Sequence, residues 1–228
     1  DIRKMGGLWR LIPITWIVML IGTLGLTGAP LMSGYYSKDG IIEAAFVSTT
    51  QGHNFAFYLL VFSALLTSFY SWRLIFLTFH GKNNISKDIF SKIHESPKVM
   101  LFPLFVLTFF TIFSGAYFVD YFMSYDYQFL WKDSIYLSPS NHVIEAIHHV
   151  PKWVKYSPLF MMIIGLAASF LFYILFPTIP RYLAKTFDPI YKFLLNKWYF
   201  DELYEFLFVS NIKKIGTFFF NIGDKKII

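Results

Sequence analysis

The chain contains no cysteine among its 228 residues. Disulfide bonds and thiolate metal sites are therefore excluded, although the redox compartment does not follow from this absence. Charge is also scarce, because Asp, Glu, Lys and Arg together make up only 15% of the residues. A glycine-rich phosphate loop, a nucleophile motif and a flavin or dinucleotide fingerprint are missing as well. These absences leave the apolar content as the main source of information.

Apolar residues make up 56% of the chain, and 21% of the residues are aromatic. A soluble domain of this length needs much less apolar surface for one core. Four apolar segments are long enough to cross a hydrocarbon core of about 30 Å, which takes roughly 20 helical residues. They cover residues 11–47, 55–79, 99–123 and 157–179. We therefore expect an all-α fold, a polytopic bundle of membrane helices.

The first apolar segment is too long for one straight crossing at about 1.5 Å per residue. Pro30, Gly28 and Gly34 interrupt a helix there, so the segment is either one broken crossing or two crossings. A single crossing places the basic residues of three regions on one side, as the positive-inside rule requires. These are Arg3, Lys4 and Arg10; Lys82, Lys87, Lys92 and Lys98; and Arg181, Lys185, Lys192 and Lys197. We therefore predict one discontinuous helix, broken near residues 27–37, with its amino end in the cytoplasm or matrix.

The opposite side then holds an uncharged turn at residues 49–54 and the loop 124–155. In that loop the basic residues are offset by acidic ones: Lys132, Lys152 and Lys155 against Asp126, Asp133 and Glu145. The net charge of +6 is explained by lysines that flank helices, and no nucleic acid partner is implied.

The character of the chain changes after Pro180. Apolar residues recur at helical spacing beside a polar stripe: Phe208, Ile212, Ile215, Phe219 and Ile222 against Ser210, Lys214, Thr217 and Asn221. We expect about four crossings in residues 1–180 and an amphipathic segment in residues 181–228, in the membrane interface or along other helices. Lys213, Lys214, Lys225 and Lys226 suit that location, and a surface helix without a partner is the alternative. The chain is expected to be part of a longer polypeptide.

Lys38 is an ionisable residue at membrane depth, beside the predicted break. Such a charge costs on the order of 3 kcal/mol and usually faces a protein interior or a water path. Asp39 and Glu43 lie four residues apart and therefore share one helix face. Two like charges at this spacing destabilise the helix unless one of them is protonated, solvated or paired. If both carboxylates lie at the wet end of the helix, no function follows from them.

Arg73 and His80 are further candidates for a proton relay. Arg73 either snorkels toward the basic side or points inward, and His80, at the end of its span, titrates near neutral pH. His142, His148 and His149 lack the carboxylate or cysteine spacing of a metal site.

Five blocks carry a resemblance to a known family. They are Asp1-Ile-Arg-Lys-Met-Gly-Gly-Leu8, Gly34-Tyr-Tyr-Ser-Lys-Asp39, Phe79-His-Gly-Lys82, His94-Glu-Ser-Pro97 and Asn196-Lys-Trp-Tyr-Phe-Asp-Glu-Leu-Tyr204. Together they resemble the subunit L family of proton-pumping NADH-quinone oxidoreductase, respiratory complex I. The first two blocks are also similar to the large subunit of multisubunit cation/proton antiporters, whereas the later ones favour complex I.

The resemblance implies an antiporter-like subunit of which this chain is roughly the carboxy-terminal third, with Lys38 in the proton path. Gly40 departs from the family, where an acidic residue is common, and this leaves the roles of Asp39 and Glu43 open. No cofactor is expected on this chain; NADH, quinone, flavin and iron–sulfur clusters would belong to the rest of the complex. The implied partners are other antiporter-like subunits, contacted along a lateral helix, and the lipid bilayer. The implied location is a bacterial inner membrane or a mitochondrial inner membrane.

Two other functions remain open at this point. A cation/proton antiporter subunit would use the same lysine without NADH chemistry. A structural membrane module would contain Lys38 as a paired charge that does not titrate.

Overall fold

The structure is a computed structural model that describes residues 1–124, 127–136, 138 and 141–225. These residues are helical wherever they are regular, and no strand occurs among them. The all-α membrane bundle is thus confirmed. The chain divides into two compact units, Asp1–Pro177 and Thr178–Ile228.

The first unit consists of long helices joined by short helical turns. The long helices are α1 (Pro13–Thr27), α2 (Ser33–Val47), α3 (His53–His80), α4 (Lys98–Met123) and α5 (Lys152–Leu175). The short turns are Ile2–Lys4, Leu8–Arg10, Lys87–Phe90, Tyr127–Trp131, Lys132–Ser134 and Val143–Ile147. The helices α3, α4 and α5 are each long and apolar enough to cross a membrane. The last of them covers residues 152–175, slightly earlier than the apolar segment 157–179, because the chain leaves the helix before Pro177.

The helix break lies between α1 and α2, inside the predicted range but narrower. Gly28 ends α1 in the left-handed conformation at φ 81°, which costs a glycine nothing. Its N–H and that of Ala29 donate to the carbonyls of the last turn of α1. Pro30 has no N–H to donate, and Leu31 has φ 71°, which is unfavourable for a residue with a Cβ. Helix α2 then begins at Ser33, so the discontinuous helix is confirmed with a break at residues 28–32.

The two halves of the broken helix together follow the whole length of α3. The Trp16 indole, near the start of α1, donates a hydrogen bond to His80 at the end of α3. Phe46, near the end of α2, packs against Phe57 at the start of α3 with ring centroids 5.2 Å apart. Each half has 15 residues and is therefore about 22 Å long, too short to span a membrane alone. The pair forms one traverse of the bundle, antiparallel to α3.

Helices α4 and α5 complete the bundle through close contacts at small residues. Thr111 of α4 lies against Gly25, and Gly115 lies against Ser33, so α4 runs parallel to the broken helix. Helix α5 runs parallel to α3, because Ser68 donates to the Met162 carbonyl at 2.7 Å and Phe69 packs on Phe172.

Glu95, in the loop before α4, caps the start of α1. Its carboxylate accepts hydrogen bonds from the backbone N–H groups of Ile14 (2.8 Å) and Thr15 (3.3 Å) and from the Thr15 hydroxyl. Desolvation alone raises the pKa of this carboxyl. The hydrogen bonds from Thr15, Ile14 and Ser96 outweigh that effect, so the pKa lies below its ordinary value. The cap therefore connects the 81–97 loop to the amino end of the broken helix.

The second unit is a series of helices. It contains Thr178–Thr186, Asp188–Leu195 and Lys197–Tyr199, followed without a break by Phe200–Tyr204, Glu205–Val209, Ser210–Phe219 and Phe220–Asp224. We call residues 200–224 the tail helix. A kink precedes it, because Lys197, Trp198 and Tyr199 all have positive φ, between 53° and 61°. Its apolar residues Phe208, Ile212, Ile215 and Phe219 are all more than half exposed; Lys226, like Asp126 in the first unit, lies outside the described residues.

Substituting Gly34 should destabilise the junction of α1 and α2. A Cβ there would overlap the Gly25 carbonyl, and overpacking of this kind costs roughly 1–3 kcal/mol. Gly22→Ala is the matched control, because a Cβ there meets nothing within 4 Å and alanine favours helix. We expect Gly34→Ala to lower, and Gly22→Ala to maintain or raise, the melting temperature of the detergent-solubilised protein. Equal shifts in both variants would contradict the close approach at Gly34.

The charge pattern predicts which ends of the chain share a side of the membrane. Single cysteines placed at Arg3, Lys82 and Lys185 should react alike with a membrane-impermeant maleimide in sealed vesicles, and one placed at Gln51 should react from the opposite side. The cysteine-free sequence makes the labelling unambiguous. Labelling of Lys82 from the same side as Gln51 would show that the crossings have been miscounted.

Candidate functional site

Lys38 lies on the second turn of α2, beside the helix break. Its side chain packs across the break, where its Cδ would be 3.6 Å from a Cβ on Gly28. The Nζ atom is buried, and it has no hydrogen-bond partner among the residues that the structure describes. A charged amine without a partner at membrane depth is costly, so its protonation responds to small changes around it.

A cleft of about 400 Å³ leads to Lys38. It is lined by small or polar residues from α1, α2 and α4 together with one leucine: Gly22, Gly25, Leu26, Ser33, Gly34, Ser37, Lys38 and Thr111. The glycines keep the helix surfaces low, and the Gly22 side of the cleft is open. The lysine can therefore be approached from one face of the bundle.

Asp39 and Glu43 are buried, each with 8% of its surface exposed. Both carboxyl groups interact electrostatically with Lys155, at the start of α5, and Glu43 also interacts with His148. The structure thus brings Lys38, Asp39 and Glu43 together along α2, one after another toward the loop 124–151. Sequence reasoning named these three but missed Lys155 and His148 as their neighbours, because nothing local to either residue indicates contact with a helix so far away in the chain.

Arg73 lies on α3 against α5. Its guanidinium is 5.5 Å from the centre of the Tyr173 ring, and its Nε is buried. This location corresponds to the inward orientation among the alternatives rather than to a side chain extended into water. Among the described residues, no hydrogen bond or ring contact joins it to Lys38.

His80 belongs to an aromatic cluster at the far end of α1. Its Nε2 accepts a hydrogen bond from the Trp16 indole at 3.1 Å, and its ring stacks on Trp9 at 6.4 Å. Trp16 and Gly28 are twelve residues apart on one helix, which corresponds to about 18 Å. His80 is therefore too far from Lys38 for direct proton transfer, and a relay between the two would need other groups or water.

The histidines of the loop are dispersed. His142 lies 3.7 Å from Glu145, and His148 is 3.1 Å from the Met123 carbonyl. Within the described part of the chain, no group of three or more His, Asp or Glu side chains is placed to hold a metal ion. The sequence has no thiolate for an iron–sulfur cluster either.

Two family models match adjacent parts of the chain. Residues 1–69 match "NADH:quinone oxidoreductase/Mrp antiporter, TM", and residues 70–138 match "NADH dehydrogenase subunit 5 C-terminus". The first match contains α1, α2 and Lys38, and it covers both complex I and antiporter proteins. The second is specific to NADH dehydrogenase.

Curated relatives match the chain over its whole length. NADH-quinone oxidoreductase subunit L of Rhodobacter capsulatus is 34% identical over 294 residues, and that of Neisseria meningitidis serogroup B is 35% identical over 255. NADH-ubiquinone oxidoreductase chain 5 of Phytophthora infestans is 38% identical over 229 residues. In each case all of this chain is covered, but it spans only 41%, 37% and 34% of the respective relative. With two adjacent family matches and relatives aligned along its entire length, the chain belongs to the family of NADH-quinone oxidoreductase subunit L and NADH-ubiquinone oxidoreductase chain 5.

Proposed function

We propose that this chain is part of a proton-translocating membrane subunit of NADH:quinone oxidoreductase, in which electron transfer to quinone drives proton pumping. The observation that carries this proposal is the buried Nζ of Lys38, which has no hydrogen-bond partner among the described residues and lies at a helix break beside a cleft. Family membership supports it, since the relatives are named as subunits of that enzyme.

The geometry suits Lys38 to loading and unloading a proton. Burial disfavours the charged amine, whereas a nearby carboxylate favours it, so a small displacement of either group changes the proton affinity. Asp39 follows directly on α2 and interacts with Lys38. The break ends one helix and begins another beside Lys38, and irregular backbone at membrane depth is found where protein packs around it or where it lines a cavity.

The energy for this movement comes from elsewhere in the complex. NADH, flavin, iron–sulfur clusters and quinone are bound by other parts, and the residues of this chain take no part in electron transfer. The membrane is an energy-coupling one, either a bacterial inner membrane or a mitochondrial inner membrane.

A cation/proton antiporter subunit is the second candidate. The first family match covers such proteins, and the Lys38 region is common to both classes. The match of residues 70–138 to the NADH dehydrogenase subunit 5 C-terminus favours the complex I function. A structural module is disfavoured by the lack of a described hydrogen-bond partner on the Lys38 amine, because a purely structural buried charge needs a close partner.

The tail helix is the surface through which this subunit contacts other antiporter-like subunits and the lipid interface. Its exposed apolar residues share a helical stripe, and Lys213 and Lys214 lie beside it. A stripe of this kind is stable only when other helices or lipid cover it.

Lys38→Ala in the complete subunit should abolish most proton pumping while the complex still assembles. Lys38→Arg should not restore pumping fully, because a guanidinium does not release its proton at accessible pH. Proton uptake and NADH-driven quinone reduction are measured in the same reconstituted vesicles. Lys98→Ala, an exposed lysine at the start of α4, is the control and should pump normally.

Normal pumping by Lys38→Ala would identify Lys38 as a structural charge and would overturn the proposed function. Loss of pumping in both Lys38→Ala and Lys98→Ala would point to a general defect in assembly, which the amount of subunit in purified complex would reveal.

Polar substitution of the tail helix should weaken attachment of the subunit before it affects chemistry. In Ile212→Ser/Ile215→Ser/Phe219→Ser, less of the subunit should remain with the complex during detergent purification. These side chains are exposed in the isolated chain, and the substitutions remove the apolar area that the proposed contact would bury. Lys214→Ser, on the polar stripe of the same helix, is the matched control. Equal retention of both variants would show that this face is not a contact surface.

A further inference from the structure

Glu95 caps α1 from a distant part of the sequence. The residue before the helix is an isoleucine, whose side chain cannot accept a hydrogen bond, and the first helical residue, Pro13, has no N–H. The N–H of Trp16 donates to the carbonyl of the residue just before the helix. The donors that remain in the first turn are the N–H groups of Ile14 and Thr15, and both donate to the Glu95 carboxylate. A negative charge there also interacts favourably with the helix dipole.

The loop that carries Glu95 is held in place on both sides of this residue. Ile85 and Ile93, which precede it, pack against the buried cluster of Leu8, Trp72, Ile75 and Phe79. Pro97, two residues after it, is the residue from which α4 starts. The carboxylate therefore joins the amino ends of two parallel helices, α1 and α4.

The same two helices meet a second time near the helix break. Thr111 of α4 lies against Gly25 of α1, with its Cβ 3.8 Å from the position that a Cβ on Gly25 would occupy. Helix α1 rises about 17 Å from Ile14 to Gly25, and α4 rises about 20 Å from Lys98 to Thr111. Two contacts this far apart fix how far one helix is displaced along the other. A slip of one residue, about 1.5 Å, would move Gly25 away from Thr111.

This register shapes the cleft beside Lys38. Gly22, Gly25 and Leu26 of α1 line one part of the cleft, and Thr111 of α4 lines another. Because these residues belong to different helices, a displacement of α1 along α4 changes the space next to the lysine side chain.

We propose that Glu95 is a positioning residue, which sets the register of α1 against α4 and thereby the shape of the cleft at Lys38. The carboxylate is about 17 Å along α1 from Gly25, so it acts through the helix and not by contact. Its effect on proton pumping rests on the proposed function, whereas its effect on the register does not.

A disulfide bond between α1 and α4 reports the register directly. The separation of 3.8 Å at positions 25 and 111 is close to the usual Cβ–Cβ distance of a disulfide. Gly25→Cys/Thr111→Cys is introduced into the complete subunit, and the initial rate of disulfide formation in the assembled complex is followed by mass spectrometry of the joined peptides. The variants Glu95→Ala and Glu95→Gln are compared with the parent. Asp88→Ala, which removes an exposed carboxylate of the same loop, is the matched control.

Glu95→Ala should slow disulfide formation roughly fivefold, because the loss of a helix cap shifts a conformational equilibrium by about that factor. Glu95→Gln keeps one acceptor oxygen and should recover part of the rate. Asp88→Ala should match the parent. In complexes without the two cysteines, proton pumping should fall in the same order, since the native register shapes the cleft at Lys38.

A local cap separates the register from the stability of α1. Ile12→Ser places a hydroxyl just before the helix, where it can accept from the N–H groups of Ile14 and Thr15. In this background, Glu95→Ala should lower the melting temperature of the solubilised complex less than it does in the parent. The disulfide rate and pumping should still fall as much, because a local cap does not join α1 to α4. If the local cap preserves all three, Glu95 only stabilises α1 and the proposal is wrong.

Two further failures can be told apart. If Glu95→Ala leaves the disulfide rate unchanged, Glu95 does not set the register, and the proposed function still holds as long as Lys38→Ala stops pumping. If the disulfide rate falls but pumping does not, the register has no bearing on Lys38 and the proposal is overturned. Normal pumping by Lys38→Ala, measured in parallel, would overturn the proposed function and with it the role of Glu95 in pumping.

Discussion

The structure depends on one constraint, that a backbone interrupted inside an apolar bundle must find partners for its freed polar groups. The break at residues 28–32 meets it locally. The N–H groups of Gly28 and Ala29 turn back to the last carbonyls of α1, and those of Met32 and Tyr35 donate to the Ala29 and Met32 carbonyls within the break. A proline removes one donor that would otherwise need a partner. The close packing of Gly34 on Gly25 then holds the two halves together, so the break is a defined feature and not a frayed end.

That solution leaves the side chains of the break without the cover that an unbroken helix would provide. Lys38 bends over Gly28 and its amine finds no hydrogen-bond partner in the described residues, while the small residues beside it keep a cleft open. A paired buried charge is hard to discharge, because removing one charge strands the other. An amine without a close partner can lose its proton without leaving a second charge unpaired, and a proton carrier requires this property.

The polar groups of the bundle are divided between its two ends. Asp39 and Glu43 continue from Lys38 toward His148, in the loop after α4, and Lys155, at the start of α5. At the other end, His80 is held among tryptophans and Glu95 caps the first turn of α1. The Glu95 cap connects the 81–97 loop to the broken helix, so a displacement of one would displace the other. A cap and an aromatic cluster fix one helix end, whereas the other end carries two buried carboxyl groups.

By itself, the sequence determined the helical class, the place of the break and the lysine beside it. These follow from interactions of short range: hydrophobic runs of membrane length, and the sterics of Gly28 and Pro30. The tertiary structure decided which distant groups meet. Lys155, on α5, and His148, after the short helix Val143–Ile147, interact electrostatically with carboxyl groups of α2 because both elements pack against that helix. His80 is remote from Lys38 because it contacts Trp16, at the opposite end of α1. The kink at residues 197–199 was hidden from pattern analysis, since left-handed backbone at Lys, Trp and Tyr has no signature in residue type.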